Sequence, residues 1–181
     1  TGRHDISSIN GPRQGGCMNA ESGDRAAVGS RSEFDQAAKA LLCELPQIKP
    51  RGLVLVDADF SPWPLADPAV LESLTQWIRL PGRRLRLLGS RFDMIERDQS
   101  RFAQWRRSFS HAIECFSPTD VEPADMPSLM LADATGLELL DRERYVARRT
   151  TGRRWLVLQH ERIDALLQRS ETAWPVTVLG L

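Results

Sequence analysis

Apolar positions in this chain recur at two spacings, and their alternation lays out the elements. From Ser32, the side chains Phe34, Ala37, Ala38, Leu41, Leu42 and Leu45 fall on one face at helical spacing. Asp35 stands three residues after Ser32, as in a capping box with Asp in place of Glu. Pro46 and Pro50 are expected to stop this helix and stiffen the link after it. Leu53 to Val56 is a short continuous apolar run, the pattern of a strand buried on both faces. Asp67 and Pro68 then open a helix with Val70, Leu71, Leu74, Trp77 and Ile78 inward. Arg84 to Leu88 reads as a second strand. Asp93 and Glu96 cap a helix with Ile95, Phe102, Trp105 and Phe109 on its buried side. Ala112 to Phe116 is a third strand. Such crossover connections give parallel neighbours.

After Pro127 the pattern changes. Strand Leu129–Ala132, a turn at Asp133–Gly136 and strand Leu137–Leu140 read as a hairpin. Tyr145–Arg149 and Trp155–Leu158 read as another, turning at Thr151-Gly152. A last helix runs from about His160 to Ser170. Residues 1–31 are rich in Gly, Ser and Arg and are expected to be disordered. The divisions are therefore 1–31, a helix and linker at 32–50, and an α/β domain at 51–181. Met18 is a candidate start site for the native chain.

The order of elements and several local runs resemble one half of a phospholipase D-like fold. More closely, they are similar to a proteobacterial domain family of unassigned role that often follows an acetyltransferase domain. The likeness rests on Val56–Leu65, on Phe109–Glu114, on Leu129–Asp133 and on Thr177–Leu181. It implies a single phospholipase D-like module, with a mixed sheet flanked by helices. The superfamily carries H-x-K-x-x-x-x-D at the start of a buried strand. Here the three positions are Met126, Ser128 and Asp133. A thioether forms no phosphohistidine, and a serine supplies no cation to a phosphate. The resemblance thus implies the fold and argues against phosphodiester cleavage. Active relatives bury their sheets by pairing two halves, so a single half is expected to expose an apolar surface and to form a homodimer or dock on a protein partner.

Composition narrows the remaining chemistry. Net charge is zero, and 22 of the 24 cationic residues are arginine, since only Lys39 and Lys49 are lysine. No global field draws a nucleic acid or a membrane. Local patches remain. Arg79, Arg83, Arg84, Arg86 and Arg91 share one segment with no acid between them. Arg144, Arg148, Arg149, Arg153 and Arg154 crowd the late hairpin, close to Arg142 and Trp155. A basic hairpin with an aromatic is a candidate nucleic-acid surface, unless the acids of 114–125 neutralise it. Asp57 and Asp59 end the first strand, where ligands gather in parallel sheets, and His111 begins the third. These three are the candidates for a site of another class, which requires them to converge. Asp133 is expected to cap its own turn. Three cysteines at wide spacing and three histidines give no zinc pattern, and no glycine-rich phosphate loop is present. No cofactor is expected. The chain has no apolar run of membrane-spanning length and no leader pattern at its start, so a cytoplasmic location is expected.

Overall fold

The computed structural model describes residues 26–176 of the chain. One eight-stranded mixed sheet runs in the order β1 (Ala26–Val28), β7 (Val146–Thr150), β6 (Thr135–Asp141), β5 (Ser128–Ala132), β2 (Gly52–Asp57), β3 (Arg84–Gly89), β4 (Ile113–Pro118) and β8 (Ser170–Thr172). Strands β2, β3 and β4 are parallel, and every other pairing is antiparallel. The crossovers from β2 to β4 are helical, as parallel neighbours require. They carry α2 (Pro68–Ile78) and the pair α3 (Asp93–Asp98) and α4 (Ser100–Ser108).

These helices and α1 (Arg31–Ile48) cover one face. Leu53, Leu55, Leu85 and Leu87 of the sheet share a core there with Phe34, Leu41, Leu74, Trp77, Ile95 and Phe102. The long helix α5 (Arg153–Leu167) covers the other face. It sets Leu156, Ile163 and Leu166 against Val56, Leu88, Leu129 and Leu131. The apolar run of β2 is continuous because both its faces meet helices. α1 packs into this core through Phe34, Leu41, Leu42 and Leu45.

Several expectations need correction. α1 starts earlier than Ser32: Ser30 is its N-cap, accepting from the Glu33 N–H at 3.3 Å, and Glu33 accepts from the Gly29 N–H at 3.1 Å. It also continues through Pro46, ending at Lys49 in a left-handed cap (φ 47°). Strand β1 and this N-cap lie inside the stretch expected to be disordered. The remainder, residues 1–25 with Met18, falls outside the described residues, as does the tail 177–181. The helix expected from Asp93 is two helices, broken at Gln99. Asp93 does not cap it: the cap position is Phe92, with no side-chain bond.

The largest correction concerns the second late hairpin. β7 pairs back on β6, but Trp155–Leu158 is not its partner strand; it is the start of α5. Leu156, Gln159, Ile163 and Leu166 are the buried positions, a helical spacing that begins well before His160. The expected open apolar sheet face is also missing among the described residues. Where α5 does not reach, Arg86 and Glu114 pair across β3 and β4 at 2.9 Å. The large apolar side chains left exposed are Ile48, Leu140, Val157 and Leu158, spread over α1, β6 and α5.

Candidate functional site

β2 and β5 are antiparallel, and the register sets Val56 opposite Leu129. Asp57 at the end of β2 therefore meets Ser128 at the start of β5. The Asp57 carboxylate is wholly buried and accepts from five donors. Its Oδ1 takes the N–H groups of Asp59 (3.0 Å) and Phe60 (2.8 Å) and the guanidinium of Arg142 (2.7 Å). Its Oδ2 takes the indole N–H of Trp63 (3.0 Å) and the hydroxyl of Ser128. Burying a carboxylate is tolerated when charge and lone pairs are both matched, and here both are.

Arg142 sits in the turn between β6 and β7 and closes the cluster from outside. Its second nitrogen reaches Asp59 at 2.7 Å and the Ser61 hydroxyl at 3.0 Å. The planar fork sets a separate nitrogen against each of two carboxylates, where a lysine would offer a single nitrogen to both. Asp59 lies at the rim. Burial alone works to raise its carboxyl, but the Ser61 N–H, the Arg142 guanidinium and the Ser61 hydroxyl more than offset this and hold it below the usual range.

That direction fixes a pH dependence. A carboxylate depressed in the fold contributes stability in full above its unfolded value, about 3.9. The contribution is lost as pH falls through the lower folded value. Asp59→Asn should therefore weaken the protein most above about pH 4 and progressively less at lower pH. Urea midpoints of both proteins between neutral and strongly acidic pH will show the gap narrowing.

The loop after β2 holds this cluster in shape. Phe60 has left-handed backbone (φ 62°), and its ring lies where a side chain on residue 89 would be: a Cβ built on Gly89 comes within 2.4 Å of it. Gln99, at the break between α3 and α4, is buried and spans the loop. Its Oε1 accepts from the Leu65 N–H at 3.0 Å, and its Nε2 donates to the Phe60 carbonyl at 2.9 Å. Beside the loop lies an open groove of about 860 Å³ between α1 and Gln99. Trp63 and Asp67 line it, with the Lys39 ammonium clamped by Asp35 and Asp67 at 2.9 Å each.

The sequence candidates divide on this geometry. Asp57, Asp59 and Ser128 are brought together. Met126 lies next to Ser128 but points into the apolar cluster beneath α5 with Leu156, Ile163 and Leu166. Asp133 is at the other end of β5. It does not cap its own turn; its carboxylate accepts from the N–H groups of Arg51 (2.8 Å) and Gly52 (3.4 Å), at the entry to β2. His111 is exposed at the foot of β4. It lies about six residues along the strands from Asp57, roughly 20 Å at strand rise. The site of another class that needed Asp57, Asp59 and His111 together is thereby overturned.

The late arginines also divide. Arg148 pairs with Glu138 at 2.8 Å, and the Trp155 indole donates to the same carboxylate at 3.3 Å. Gly136 admits that indole, since a Cβ there would lie 2.4 Å from it. Arg149 reaches Glu44 on α1 at 2.6 Å. Arg144 is 83% exposed, at 4.0 Å from Asp141, and Arg153 and Arg154 are exposed in the first turn of α5. The neutralising acids are thus Glu138 and Glu44. Within 114–125, Glu114 pairs with Arg86 and Asp120 with Arg169. Arg142, Trp63 and Gln99 are the residues that sequence reasoning left out of the site.

No known family profile matches this chain, and no curated protein is similar to it in sequence. Solved structures are similar in fold. One is NucT from Helicobacter pylori, of the phospholipase D family: TM-score 0.57, 5% identity, covering 83% of this chain and 99% of that one. The fold is phospholipase D-like. The second is TrmBL2, an archaeal chromatin protein whose structure is described as showing a novel mode of DNA binding. Its TM-score is 0.59 at 12% identity, covering 86% of this chain. The chain spans 56% of the TrmBL2 chain, and at these identities both likenesses are of fold alone. Among the described residues, no helix is long and apolar enough to cross a membrane, and no three His, Cys, Asp or Glu side chains are grouped to hold a metal.

Proposed function

We propose that this phospholipase D-like module binds rather than cleaves. One observation carries the reading. At the two positions where the superfamily keeps its nucleophile and phosphate cation, Met126 is packed under α5 and Ser128 donates to the buried Asp57 carboxylate. With Arg142 pairing the same carboxylate, the end of β2 and β5 is a closed, charge-matched hub. In-line attack on phosphorus needs an exposed nucleophile and a general acid, and the described hub offers neither. We read the role as that of an accessory module in the cytoplasm, and any assembly with a second copy or a partner protein would not use an open apolar sheet face, since none is left among the described residues.

The test is hydrolysis of a chromogenic phosphodiester by the full chain and by the double variant Met126→His/Ser128→Lys. Neither should exceed the buffer rate: the new lysine would pair with Asp57, and the new histidine would lie beneath α5. Turnover by the unaltered chain would overturn the reading. Sedimentation at micromolar concentration reads the assembly state, and a monomer would remove the second copy as partner.

A second reading is nucleic-acid binding through residues 142–154. The comparison with TrmBL2 favours it, as do the exposed Arg144, Arg153 and Arg154, although Arg148 and Arg149 are committed to Glu138 and Glu44.

A further inference from the structure

We infer a phosphate-binding pocket at the foot of the sheet, remote from the closed hub and from the 142–154 segment. A cavity of about 400 Å³ opens between the end of α2 and the start of β4. Arg79, Arg83, Arg84, His111 and Phe109 line it, and no carboxylate does. None of the three arginines pairs with an acid among the described residues, whereas Arg86 and Arg91 of the same segment pair with Glu114 and Asp93.

Carbonyls hold two of the guanidinium groups instead. The turn at Pro81-Gly82, with Gly82 at φ 73°, folds Arg83 back. Its terminal nitrogens donate to the carbonyls of Pro81 and Lys49, each at 3.1 Å. Arg84 donates to the carbonyl of His111, which fixes that residue beside the arginines. The Nε of Arg83 is buried and has no partner. Carbonyls position a guanidinium but leave its charge unmatched, so three converging cations lack a counter-ion that an oxyanion would supply.

Size and lining select the ligand class. A space of about 400 Å³ falls within the range of small-molecule sites. Arginine forks match phosphate oxygens, and the Phe109 ring offers a surface for a base or sugar. The ligand is a phosphate-bearing group, held as a mononucleotide or as one unit of a nucleic-acid backbone. This goes beyond the binding role proposed above and uses none of its residues.

Titration of the full chain with adenosine monophosphate, pyrophosphate and a labelled single-stranded oligonucleotide, across a salt series, tests the site. Arg79 is exposed and its side chain makes no hydrogen bond or ion pair among the described residues. Arg79→Glu therefore leaves the architecture intact, and Arg84→Gln checks a second fork. Each should weaken binding at least tenfold, and the oligonucleotide's salt slope should fall by about 0.7 for each phosphate no longer neutralised. Arg162→Glu, on α5, should leave binding unchanged. Competition of the mononucleotide with the oligonucleotide identifies the pocket as a single-phosphate site. Oligonucleotide binding without competition, still sensitive to Arg79→Glu, identifies it as part of a backbone track. No binding of any of the three at low salt overturns the inference. So does binding insensitive to Arg79→Glu and Arg84→Gln but lost on reversal of Arg144, Arg153 and Arg154, which would favour the 142–154 reading instead.

Discussion

Asp57→Ala should cost about 4 kcal/mol of stability, the scale for removing one partner of a buried, hydrogen-bonded ion pair. The carboxylate accepts from two backbone N–H groups, an indole, a hydroxyl and a guanidinium. Alanine leaves the buried donors among them without an acceptor, at about 1–3 kcal/mol each where water does not reach. Arg142 suffers least, since it keeps Asp59 and is partly exposed. Asp57→Asn separates the causes. It retains the volume and one acceptor oxygen but turns a donor toward Trp63 or Ser128, so its cost should fall between those of wild type and alanine. Urea unfolding followed by circular dichroism gives both values. A loss below about 1 kcal/mol for alanine, the usual worth of a single hydrogen bond, would mean that the hub does not hold the fold together.

Trp63→Ala should be of similar size, about 3–5 kcal/mol, the range for deleting a large buried aromatic. The indole is 1% exposed and meets Phe34 of α1 edge to face at 5.2 Å. It joins α1 to the hub, since its N–H donates to Asp57. Trp63→Phe keeps most of the packing and loses that bond, leaving one lone pair of a carboxylate that retains four other donors. Its cost should be no more than half that of alanine. Equal losses would show that the bond, not the ring volume, carries the effect. Thermal and urea unfolding of the two variants discriminate these outcomes.

Local signals in the chain suffice for much of the architecture. The apolar run at Leu53–Val56, the Asp67-Pro68 helix start and the turn at Asp133 each depend on a few neighbouring residues, and each is found where those residues place it. Pro46 misleads because a proline by itself predicts a stop, whereas Leu45 and Leu42 are buried and tertiary packing carries α1 past it. Trp155–Leu158 misleads because Trp and Val favour strands, while the deciding contact is Leu156 against the far face of the sheet. The hub is half legible. Asp57 and Asp59 ending a buried strand require a cation, but nothing local selects Arg142 from 22 arginines, since 85 residues separate it from Asp57. The acid on α1 that pairs with Arg149 is hidden for the same reason: Glu44 stands 105 residues away.

Those separations also bear on the order of folding. The hub joins residue 57 to residue 128 and to residue 142, across gaps of 71 and 85 residues. Closing such loops costs entropy that is recovered only once the strands between them are paired. The β2–β3–β4 unit has its own helices and can assemble first, whereas the carboxylate meets serine and arginine only after β5, β6 and β7 have added to its edge. Bonds made after the rate-limiting barrier slow unfolding without speeding folding. Asp57 and Arg142 are therefore expected to act as a latch on the completed sheet, so that removing either should speed unfolding more than it slows folding.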